Sequence, residues 1–161
     1  MELLEQLEAS ALSQWLSISL AGFPTLIALH SVGMGIVVGL SLMICLRLNC
    51  VLSGIRAETI PRLLDVAIWG FTLNLVTGLA IFITRAPAYI TSAVFLIKMM
   101  LVVVSAAILF WLRRRLRTIS EATEAELVTG LVRQLSVFAS LSWFGAVVTG
   151  RLIAYLSSIY R

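Results

Sequence analysis

SAVFLIKMMLVVVSAAILFWLRRRLR, residues 92–117, is the stretch whose reading decides the fold. Its apolar part, 92 to 112, is long enough to cross a hydrocarbon core of roughly 30 Å as a helix. The arginines that follow stop it at a membrane surface. Comparable apolar runs lie at about 23 to 46, 64 to 84 and 135 to 157. Of the 161 residues, 60% are hydrophobic and 12% charged, far from the balance of a soluble domain. Inside a bilayer no water can satisfy a backbone N–H or C=O, so a spanning segment of this kind closes its hydrogen bonds as a helix. The expected fold is therefore all-α, a transmembrane four-helix antiparallel bundle with short connections, residues 23–161 forming one domain.

Basic residues near the ends of the spans predict the orientation, because loops rich in Lys and Arg stay in the cytoplasm. Arg47, Arg56 and Arg62 flank the first connection, and Arg113, Arg114, Arg115, Arg117 and Arg133 flank the third. The opposite side carries Arg85, Lys98, Arg151 and Arg161. Both termini are expected outside. The net charge of +4 is mostly this topology signal, not a nucleic-acid patch, and the Arg113 to Arg117 cluster is expected to face anionic lipid.

Residues 1–22 begin with the acidic MELLEQLEAS, unlike the basic start of a signal peptide. Leu4, Leu7, Ala11 and Trp15 share one helical face and Glu2, Glu5 and Glu8 another, which predicts an amphipathic helix lying on the outer membrane surface. It serves either as an anchor or as an acidic docking face for a partner. Gly22, Phe23 and Pro24 break the pattern before the first span. Cys45 and Cys50 fall at the inner end of that span, in a reducing compartment, and form no CxxC, CxxCH or metal-ligand cluster with the distant histidine.

Depth carries the functional signal. A helix rises about 1.5 Å per residue, so His30, Lys98 and Arg151 all lie about 10 Å below the outer boundary of their spans. Thr77 shares that depth on the second span, with Asn74 one turn deeper, and no acidic residue of any span joins them. A charge buried in hydrocarbon costs at least about 2.5 kcal/mol near the centre. Lys98 and Arg151 either snorkel to the headgroups or share an anion. His30 either hydrogen-bonds Thr77 or Ser105 as a neutral imidazole, or ligates a metal or exchanges a proton.

Spacing predicts which faces meet. His30, Met34, Val37 and Ser41 align on the first span, and Gly70, Asn74, Thr77 and Ile81 on the second. Val94, Lys98, Leu101 and Ser105 align on the third, and Phe144, Val147, Arg151 and Tyr155 on the fourth. Gly35 and Gly39 form a GxxxG pair on an adjacent stripe of the first span, which predicts close helix packing there.

Leu29, His30, Gly33, Arg47 and Leu48, with FLIKMM around Lys98 and GRLIAY from Gly150 to Tyr155, resemble an uncharacterised bacterial family of four-helix membrane proteins. The resemblance implies a multi-pass protein of the bacterial inner (cytoplasmic) membrane. Members commonly carry an acidic residue two before the arginine that ends the first helix, where this chain has Cys45. A histidine early in the first helix and a lysine in the third is also distantly similar to haem-binding, protoporphyrinogen-oxidase-type membrane proteins and to copper-resistance-type membrane domains. That likeness implies a haem-contacting role for His30 and a functional role for Lys98.

Two functions follow. In one, the protein binds haem b near the outer leaflet, with His30 as the metal ligand and Lys98 and Arg151 on the propionates. Met34, Asn74, Thr77 and Tyr155 then line the site, the sixth iron position is open, filled from Lys98 or supplied by another copy's His30, and electron transfer or porphyrin redox follows. In the other, the chain is a non-catalytic accessory subunit of a larger membrane complex, and the cationic layer binds a lipid phosphate or quinone headgroup. Transport is disfavoured by the absence of a Pro-broken span and of an intramembrane acidic relay.

Overall fold

A computed structural model of the chain describes residues 2–118 and 129–159. Its four long helices are α3 (Gly22–Leu48), α4 (Ile60–Ile83), α6 (Ala93–Thr118) and α7 (Gly130–Ile159). All four are long and apolar enough to cross a membrane. Each runs past the apolar stretch legible in the sequence, because helical hydrogen bonding continues through flanking polar residues such as Arg113 to Arg117. Pro24 and Pro61 fall in the first turns of α3 and α4, where a missing N–H costs no helical hydrogen bond.

The long helices pack in a closed order, α3 on α4, α4 on α6, α6 on α7 and α7 back on α3. The interior is lined by Val37, Ile44 and Leu48 of α3, Leu64 and Ala67 of α4, Leu109, Leu112 and Leu116 of α6, and Val132, Trp143 and Ala146 of α7. Trp143 reaches the ring of Phe71 at 6.0 Å between centroids. Trp69, Val76, Met100, Leu141 and Phe144 point outward and are exposed. In lipid such residues gain little by burial, so association rests on close van der Waals packing and interhelical hydrogen bonds.

The closest approach is between α3 and α4, and Gly33 and Gly70 permit it. A Cβ at Gly33 would stand 2.8 Å from the Asn74 nitrogen and 2.9 Å from the Gly70 oxygen, and one at Gly70 would meet Ile36 Cγ2 at 2.5 Å. The GxxxG pair does not do this. Among the described residues nothing would lie within 4 Å of a Cβ at Gly35 or Gly39, so their stripe faces out of the bundle. On a helix of 3.6 residues per turn, Gly35 and Gly39 stand nearly opposite the stripe begun by His30.

Before the first span the chain makes two helices where the sequence predicts one, α1 (Glu2–Glu8) and α2 (Ala11–Ile18). Ser10 separates them: its Oγ accepts from the Ser13 N–H at 3.3 Å and caps α2. The cap interrupts the helical register, so the stripe through Leu4, Leu7, Ala11 and Trp15 is not carried onto the bundle. Trp15 is exposed, and Ser13 and Leu16 are buried instead. The Ser13 hydroxyl donates to the Ile83 carbonyl at the end of α4. A further short helix, α5 (Ala86–Ile90), lies between α4 and α6. Its Tyr89 stacks with Phe82 and Phe95. Burial pushes the Tyr89 phenol up from its ordinary pKa, against the lowering effect of Arg85.

The opposite end of the bundle is held by arginines. Arg113 Nε donates to Asp65 Oδ1 at 2.7 Å and Arg117 Nη2 to Asp65 Oδ2 at 2.6 Å, fastening α6 to α4. Arg133 Nε donates to the Leu48 carbonyl at 3.1 Å, and Arg47 Nε to the Ile55 carbonyl. Two arginines of the expected lipid-facing cluster are thus committed to Asp65, while Arg115 is exposed. Partly exposed ion pairs contribute about 0.2–1 kcal/mol each. Asp65→Asn is therefore expected to lower the thermal midpoint by more than Arg113→Gln or Arg117→Gln alone. Equal midpoints for Asp65→Asn and the wild type would show that the pairs add nothing to stability.

Candidate functional site

His30 extends from α3 to α4, where its Nδ1 lies 3.1 Å from Thr77 Oγ1. The Thr77 hydroxyl has one proton, and it points back along α4 to the Leu73 carbonyl at 2.7 Å, with the Asn74 carbonyl at 3.2 Å. Thr77 must then accept from the imidazole, so the tautomer carries its hydrogen on Nδ1. The ring also has a hydrogen-bonding contact with the Asn74 backbone carbonyl, and with its hydrogen on Nδ1 the Nε2 atom keeps a lone pair. The ring has room because residue 78 is glycine: a Cβ there would stand 3.1 Å from His30 Cε1.

Lys98, on α6, is half-buried and lies across α7, its Nζ 3.6 Å from where a Gly150 Cβ would be. It stands within electrostatic reach of the imidazole. Among the described residues its ammonium has no hydrogen bond or ion pair. Asn74 lies beside Gly33, one turn from Thr77, 5% exposed, and its Oδ1 is buried without a partner among the described residues. His30, Thr77, Asn74 and Lys98 are the sequence-predicted residues that the fold gathers into one region, drawn from three helices.

Met34 keeps to the same face of α3 as His30, while Arg151 and Tyr155 stand apart. Met34 follows His30 by one turn and is half-buried. Arg151 and Tyr155 are exposed on the outward side of α7 with Phe144. The buried face of that helix runs instead through Val132, Ser136, Ala139, Trp143 and Ala146. Equal depth placed Arg151 in the layer, but depth says nothing about azimuth, and the α7 stripe through Phe144 is rotated away from the core. Gly78 gives His30 its space and has no counterpart in the sequence reading, and Gly150, there only the first residue of GRLIAY, gives Lys98 its space. The signal that marks them is a glycine next to, or facing, a polar residue inside a span.

Among the described residues no group of three or more His, Cys, Asp or Glu is placed to hold a metal ion. A small cavity in the bundle lies roughly 16 Å along α3 from His30, at Ser41. No family model matches the chain, and no curated protein or solved structure does either.

Proposed function

We propose that this is a small haem-b-binding protein of the bacterial inner membrane, its four spans antiparallel, both termini outside and α1 and α2 resting on the outer surface. The observation that carries the functional part is the His30 to Thr77 hydrogen bond, which fixes the ring orientation and leaves Nε2 unprotonated. Metal-ligating histidines commonly donate their other ring N–H in this way. From one chain His30 would hold the iron and Lys98 one propionate. Arg151 is not on that side, and a second imidazole would have to come from another copy, since the chain has a single histidine. Bound haem would supply one-electron redox chemistry. The chain's own part is to orient the imidazole through Thr77 and to place a cation within reach of a carboxylate.

A second reading is favoured by Lys98. An ammonium in the outer half of a bundle, without a partner among the described residues, suits a lipid phosphate or a quinone carbonyl, and the chain would then serve as a non-catalytic accessory subunit. The visible spectrum separates the two. Protein made in cells with ample haem and extracted mildly is expected to show a Soret band that sharpens and shifts on dithionite reduction. Colourless protein carrying quinone or anionic lipid would establish the second reading instead.

The antiparallel order is supported by contacts that run in opposite senses, His30 to Thr77 and Gly33 to Gly70. Orientation is supported by the arginines that gather at the end carrying Asp65 and Cys50. Cys50 is exposed, and it should react with a membrane-impermeant thiol reagent only after the inner face is opened. Labelling in intact cells would invert the topology and move the His30 layer to the inner leaflet. Of the Arg113 to Arg117 cluster, Arg114 and Arg115 are exposed at this end and are expected to meet anionic lipid.

A further inference from the structure

Serine and threonine hydroxyls inside apolar helices usually bond back to a carbonyl of their own helix. Thr72, Thr77, Ser105 and Thr149 do so here. Ser41 does not. It is 8% exposed, and its Oγ is buried without a hydrogen-bond partner among the described residues. The same residue lines a cavity with Ser136, between apolar walls that include Leu64, Leu109 and Leu112. The cavity has room for about one water molecule.

Ser136 is available as a second partner. Its hydroxyl proton goes to the Arg133 carbonyl at 2.7 Å, and it accepts from Asn49 Nδ2 at 3.4 Å. An oxygen lone pair remains. An unpartnered hydroxyl facing an empty void loses both its hydrogen bond and its packing contacts, whereas a water there restores both.

We propose that one water molecule occupies this cavity and bridges Ser41 of α3 to Ser136 of α7. The Ser41 hydroxyl donates to the water, and the water donates to Ser136 Oγ. Through Asn49 the bridge joins the polar groups at the Asp65 end of the bundle, so hydration enters the interior from that end. The assignment is independent of what binds at His30.

The test uses the full chain in lipid bilayers, with methyl-labelled leucine and magnetisation transferred from water by solid-state NMR. Leu64 and Leu109 are 0% and 3% exposed, so water can reach their methyl groups only from within the cavity. Transfer to both is expected in the wild type and should fall several-fold in Ser41→Ala, while Thr72→Ala, an exposed hydroxyl bonded only within its own helix, leaves it unchanged. Wild-type methyls that receive nothing would show a dry cavity and overturn the proposal. Undiminished transfer in Ser41→Ala would overturn it too, because the water would then be held without Ser41.

Discussion

Gly33→Val and Gly70→Val are expected to abolish the folded bundle or leave it separated between α3 and α4, while Gly35→Val and Gly39→Val are tolerated. The difference is geometric. At Gly33 the first added carbon already meets the backbone of α4, at 2.8 Å from the Asn74 nitrogen, and backbone cannot rotate away as a side chain can. Overpacking a well-fitted interior costs about 1–3 kcal/mol when side chains can adjust, and more is expected where two helix axes must part. Parting them would also break the His30 to Thr77 bond. At Gly35 and Gly39 the space is open, and a valine there would meet lipid. The measurement is the fraction of monodisperse, helical protein recovered in mild detergent, with its thermal midpoint. Equal losses at all four positions would show that the outward stripe is also packed, and normal recovery of Gly70→Val would mean the α3 to α4 approach is looser than described.

Loss of the chromophore in His30→Ala is the second large effect expected. If Nε2 is the iron ligand, the Soret band disappears while helical content and oligomeric size stay as in the wild type, because backbone hydrogen bonding in the bilayer does not depend on one side chain. Thr77→Val is the sharper variant. It keeps the shape of the threonine and removes the acceptor for Nδ1–H, and losses of an outer-shell partner of this kind lower affinity by about 10–100-fold. Thr77→Ser, which restores the acceptor, should recover most of that. A band that survives unchanged in His30→Ala would sink the ligand assignment. A band unaffected by Thr77→Val would mean that the ring is oriented by other contacts, the Asn74 carbonyl among them.

Much of the fold is legible in residues read one at a time. Four apolar runs define four helices, since no other secondary structure of that length satisfies its own backbone in lipid. The stripe of α3 through His30, Met34, Val37 and Ser41 faces inward as its spacing indicates, and so does the α4 stripe through Gly70, Asn74 and Thr77. The α7 stripe through Phe144 and Arg151 faces outward. A membrane helix is apolar on every side, so hydropathy does not mark its buried face, and a charge on one stripe does not mark it either. The pairing of His30 with Thr77 was among the alternatives open in the sequence. The failure of the GxxxG pair to pack has a similar cause, because small residues allow close approach but do not say which neighbour arrives.

By itself the sequence determined what must lie within the membrane and at what depth, since length, hydropathy and the 1.5 Å rise of a helix are local properties. It brought a histidine, a lysine and an arginine to one level. Only the tertiary structure decided which of them face one another. Azimuth depends on how four helices rotate against their neighbours, and that is set by contacts between residues far apart in the chain: Gly33 against Gly70, Asp65 between Arg113 and Arg117, Lys98 across Gly150. Those contacts keep His30 and Lys98 in reach of each other and turn Arg151 away.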